Sequence, residues 1–93
     1  MMNSVEDITI LKDKIRPLLD MINQCLEDSE LIMNILTELK KSSQHKDQLY
    51  FMNEAYEYAA KLRNGCNTVL NYINSILRDL IFLDRMLTKN VAH

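Results

Sequence analysis

Glycine and proline each occur once in these 93 residues, tryptophan is absent, and cysteine and histidine occur twice each. One Gly65 and one Pro17 are far too few for a loop-rich or all-β fold, whose turns depend on these residues. Two cysteines supply no disulfide framework by count alone. No apolar run approaches the roughly 20 residues needed to span a bilayer, so no membrane insertion is expected. The opening stretch MMNSVEDITI lacks the basic and apolar regions of a signal peptide. A cytoplasmic location follows as the expectation, with leaderless export as the other route. Lys and Arg number 11 against 13 Asp and Glu, a net charge of −2. Lys12, Lys14, Arg16, Lys40 and Lys41 sit among acids, so no clustered phosphate-binding surface arises and no nucleic acid partner is expected.

The same scarcity removes most chemistry. His45 falls in a polar connection and His93 at the C-terminus, too far apart for a nucleophile and base or for a metal site with the two thiols. Glu27, Asp28 and Glu30 form a carboxylate cluster, but on a helix surface with no sign of a pocket, where solvated charge is the better account. Glycine-rich phosphate loops, Glu-x-x-His motifs and aromatic base-stacking platforms are all missing. No catalytic residue, metal, cofactor or small-molecule substrate is expected, and the chain is read as no enzyme.

What remains is periodicity. Ile8, Leu11, Ile15, Leu18, Ile22, Cys25, Ser29, Ile32, Leu36 and Leu39 follow the 3–4 spacing of heptad positions a and d. Met52, Ala55, Ala59, Leu62, Cys66, Val69, Ile73, Ile76, Leu80, Leu83 and Leu87 repeat it in the second half. Two long helices with a continuous apolar seam follow. The reading is all-α: an antiparallel helical hairpin in a single domain over 1–93, with a helix at 5–41, a loop at 42–47 and a helix at 48–89. Ser4 is the expected N-cap of the first helix, and Asp47 or Ser43 of the second. Pro17 either kinks a continuous helix or begins a new one after a break near Ile15. The heptad passes through Gly65 without losing phase, which favours a weak point over a turn.

Folding the chain at His45–Lys46 opposes residues whose numbers sum to 91, and every a then meets a d. Cys25 and Cys66 share one layer, either as small core thiols or as a disulfide if the backbones approach closely enough. On the flank, Lys14 and Asp79 oppose each other with complementary charge.

A two-helix hairpin needs only that seam, yet the apolar surface continues. Leu19, Leu26 and Met33 at e, with Met21 and Ile35 at g, widen the first stripe; Tyr56, Leu70 and Leu77 at e, with Phe51, Tyr58, Tyr72 and Met86 at g, widen the second. Each such side chain left in water forfeits about 1.5–3 kcal/mol of burial, and contiguous patches of this extent mark interfaces. The expected partner interface is therefore Leu19, Met21, Leu26, Met33, Ile35, Tyr56, Tyr58, Leu70, Tyr72, Leu77 and Met86. A compact three- or four-helix monomer would cover the same surface internally.

In length and helix–turn–helix plan the chain resembles the small secreted hairpin proteins that carry a Trp-x-Gly turn. SSQHKD stands where that turn would be, so the resemblance covers architecture alone. It is equally similar in plan to small secretion chaperones and to subunits of coiled-coil complexes. The functional expectation is a non-enzymatic interaction module, an adaptor, chaperone-like hairpin or complex subunit, that forms a homodimer, two hairpins making a four-helix bundle, or pairs with the helices of a different protein partner. A small monomeric inhibitor or immunity-type protein that binds one target through its charged surface is the alternative. On this reading Leu18→Asp unfolds the chain, whereas Leu19→Asp dissociates its assembly.

Overall fold

The structure, a computed structural model, describes residues 4–91: helix α1 over Ser4–Ser42 and helix α2 over Lys46–Val91, joined by residues 43–45. The two run antiparallel and pack along their length in a rod 73 Å long and 17 Å across. Polar ends fit each helix to its dipole: Glu6 and Asp7 occupy the first turn of α1, and Lys40 and Lys41 its last. The side chain of Ser4, the expected cap, lies outside the described residues, as does His93.

Neither Pro17 nor Gly65 breaks a helix. Pro17 is exposed, so the carbonyl that loses its amide partner faces water. Gly65 keeps helical backbone with no positive φ. The loop is shorter than expected because α2 begins at Lys46, with the His45 carbonyl accepting a hydrogen bond from the Leu49 amide at 3.0 Å. Asp47 thus lies inside the first turn, and His45 takes the cap position instead. Ser43 Oγ donates to Gln48 Oε1 at 3.0 Å, bracing the loop against the helix.

The hairpin and its register match the heptad pattern, but the seam is rotated. The a residues Ile8, Ser29, Ala59, Cys66, Ile73 and Leu80 are buried, as expected. The d residues are not: Leu18 is 50% exposed, and Leu11, Ile32, Leu39, Leu62, Val69, Ile76 and Leu83 are likewise exposed. Position e takes their place. Met33 is buried, and Leu19, Leu26, Tyr56, Leu70 and Leu77 are half-buried against the facing helix. Positions a and e also alternate at 4–3 spacing and lie only about 40° apart on a helix. With four apolar positions per heptad, periodicity permits either seam.

Polar groups at e fit the observed choice. Lys12 Nζ pairs with Asp84 Oδ2 at 3.1 Å, and Lys40 Nζ lies 4.3 Å from the Tyr56 ring centroid. Both contacts bridge the helices, one near each end of the rod, and both need e to face e. Ser29 at a, with no exposed surface, donates to the Leu26 carbonyl at 2.8 Å, so its hydroxyl is satisfied inside its own helix.

Candidate interaction surface

Rotating the seam to a and e turns d and g together onto one side of the rod. In an antiparallel pair a two-fold axis normal to the ribbon relates the helices, so equal heptad positions share a face. Levels on this face follow the hairpin register. At d, Leu11, Leu18 and Ile32 of α1 stand on the same side of the rod as Leu62, Ile76 and Leu83 of α2. At g, Met21 and Ile35 of α1 and Tyr58 and Tyr72 of α2 share that side. All ten are exposed, Met21 at 67% and Tyr72 at 65%. The opposite face, at b and f, carries mainly Asp, Glu, Asn, Thr and Arg. The rod is amphipathic across its width, with one wet side and one apolar side.

The residues expected at the partner interface therefore divide in two. Leu19, Leu26, Met33, Tyr56, Leu70 and Leu77 contribute to the seam within the chain. Met21, Ile35, Tyr58, Tyr72 and Met86 stand on the open face, with Phe51 beside them at the loop end. The d residues that join them were assigned to the core by spacing alone. Their signal was present in composition: among the described positions d holds no charge in either helix, whereas e holds Lys12, Lys40, Arg63 and Asp84. The stripe left exposed is thus freer of charge than the seam itself.

Charge on the open face is sparse and placed at g. Lys14 and Asp79 lie level with each other, yet no ion pair joins them. Position g points away from the seam, too far round each helix for the two chains to meet. Asp79 Oδ1 instead lies 3.6 Å from Arg78 Nε. Asp28, also at g, accepts a hydrogen bond from Gln24 Nε2 at 3.0 Å, one turn away on its own helix. It sits level with Gly65, where a Cβ would meet no atom within 4 Å.

Cys25 and Cys66 are free thiols at one level of the hairpin, with Cys66 buried and donating to Cys25 Sγ at 2.9 Å. That hydrogen bond, and then burial, raise the Cys66 thiol above its ordinary value. The protonated form is the stable one in the fold.

Surface depressions are shallow; one on the polar side is lined by Glu30, Met33, Asn34, Tyr56 and Arg63. Among the described residues no group of three His, Cys, Asp or Glu is placed to hold a metal ion. No described helix is long and apolar enough to cross a membrane. Compared with known protein families, curated proteins and solved structures, the chain shows no significant match.

Proposed function

We propose that this chain is a non-enzymatic interaction module, a helical hairpin that docks amphipathic helices on its d and g face. The observation that carries this reading is the length of that face. Exposed Leu, Ile, Val, Tyr and Met side chains run from Leu11 and Met86 at one end to Leu39 and Phe51 at the other. Scattered apolar residues are ordinary on a soluble surface, but a contiguous face the length of the rod is not. Helices suit it better than an extended peptide, because two parallel ridges with a groove between them accept the ridge of another helix. Methionine and tyrosine at g add contact area that adapts to a partner at little entropic cost.

The test combines mass in solution with binding of the apolar dye ANS. Either an assembly larger than 10.9 kDa, or a monomer that binds the dye strongly, is expected. A monomer of that mass with no dye binding overturns the reading, because the surface is then covered from within.

A further inference from the structure

We infer that the occupant of the apolar face is a second copy of this chain, stacked with both loops at the same end to form a four-helix bundle. This rests on the interaction-module reading and adds to it the partner and its orientation.

Area supports a partner of this size. The chain exposes 7334 Å² for a mass of 10.9 kDa. A compact monomer of equal mass exposes roughly 5,600 Å². The excess is roughly 1,700 Å² per copy, and two such faces together fall within the range of about 2,000–5,000 Å² of obligate homodimers.

Helical geometry supports a four-helix product. In a square bundle each helix has one neighbour in its own hairpin and one in the other, with the bundle axis between those directions. Here e turns toward the hairpin partner and g toward the open side, about 160° from each other on the side that includes a and d. Positions a and d then point to the axis. The bundle thus restores the a/d core that the heptads specify, with d supplied from both copies, and it explains why d is free of charge while e is not.

The g charges select the orientation. With the two-fold axis along the rod, α1 of one copy lies over α2 of the other, level for level. Lys14 then faces Asp79 of the second copy, Asp28 faces its Gly65, and Met21 faces its Tyr72. Lys14 and Asp79 are counter-ions there and Asp28 meets the one g position with no side chain, while Asp7, at the open end of the rod, lies level with Met86. With loops at opposite ends and full overlap, α1 lies over α1 and α2 over α2. Lys14 then faces Ile35, Asp28 faces Met21 and Asp79 faces Tyr58, so these three lose water without a partner, and only Asp7 gains a polar neighbour, Ser42.

The test mixes isotopically light and heavy wild-type chains and treats them with a short amine-reactive cross-linker, reading mixed-isotope peptides by mass spectrometry. A dimer is expected, with inter-copy links among Lys40, Lys41 and Lys46 near the loop and among Lys12, Lys14 and Lys89 at the far end. Links from loop lysines to Lys12 or Lys14 of the other copy overturn the orientation. A monomer that still binds ANS overturns the second copy as occupant but leaves the interaction reading standing; a monomer that does not bind it defeats both. Sedimentation of Lys14→Glu supplies a second readout: its dissociation constant should rise roughly tenfold, and adding Asp79→Lys should restore it. An unchanged dissociation constant in Lys14→Glu also overturns the proposed pairing.

Discussion

Cys66 Sγ donates a hydrogen bond to Cys25 Sγ across the hairpin, 2.9 Å away, although the two residues are 41 apart in sequence. A disulfide needs the sulfurs at about 2.05 Å, so a shift of less than one ångström separates the thiol pair from a covalent tie. Oxidised glutathione should convert it: one thiolate attacks the glutathione disulfide, the second thiolate resolves the mixed disulfide, and two reduced glutathiones leave. The product is a chain lighter by two hydrogens, with unchanged helix content by circular dichroism. Its thermal midpoint should rise, since the loop it closes spans about half the chain. A stable glutathione adduct in place of the internal bridge would refute this.

Alkaline pH should weaken the fold. The Cys66 thiol is held above its ordinary value of 9.0 by its hydrogen bond to Cys25 and by burial. The unfolded chain therefore releases this proton at lower pH than the folded one. Between the two values the folded state binds more protons, so stability falls as pH rises. The contribution is fully present below pH 9.0 and is lost as pH climbs through the folded value. Urea midpoints for the wild type and Cys66→Ala should converge as pH passes from 8 to 10.5. Parallel curves would show that the thiol does not govern this range.

The fold was legible because helix type, direction and register each follow from residue spacing. Cys25 meeting Cys66 is the layer that a fold at His45–Lys46 requires. The continuity of α2 through Gly65 was legible too, since a loop there would have shifted the phase of Val69, Ile73 and Ile76. The face of each helix that turns inward was not legible. Ile15 belongs equally to a stripe with Leu18 and to one with Leu19, and both stripes are apolar over most of their length. Long-range polar contacts broke the tie. Lys12 reaching Asp84 and Lys40 reaching Tyr56 depend on which way both helices roll, and no local spacing records that. The exposed apolar face was therefore half read: its g members were found as surplus, and its d members were assigned to the hairpin core.

Gly65 marks a place where the helix has room to improve. Its backbone is helical, and a methyl group there would meet nothing within 4 Å. Gly65→Ala should stabilise the chain by about 1 kcal/mol, by reducing the entropy of the unfolded state and adding helix propensity. For a domain of this size that is a rise of about 4–8 °C in Tm, read by calorimetry. A fall in Tm would mean that Gly65 is kept for close approach by another surface, and the level pairing with Asp28 of a second copy would be the first place to look.

Leu18 and Leu19 are adjacent in sequence and opposite in consequence. Leu19 is half-buried against α2, so Leu19→Asp places a carboxylate inside the hairpin seam. That should cost about 2–4 kcal/mol and lower the urea midpoint at every protein concentration. Leu18 is 50% exposed on the open face of a single hairpin. Leu18→Asp should change the stability of an isolated hairpin by less than about 1 kcal/mol, yet it introduces an unpaired charge wherever that face is covered. Its signature is a midpoint that no longer rises with protein concentration, because mass action stabilises only a chain that still associates. A spacing-based seam through Leu18 demands the reverse pattern. The pair of variants therefore separates the two rolls of α1 by one measurement, denaturation followed over a hundredfold range of concentration, and a Leu18→Asp chain that is unfolded even when dilute would reject the a/e seam.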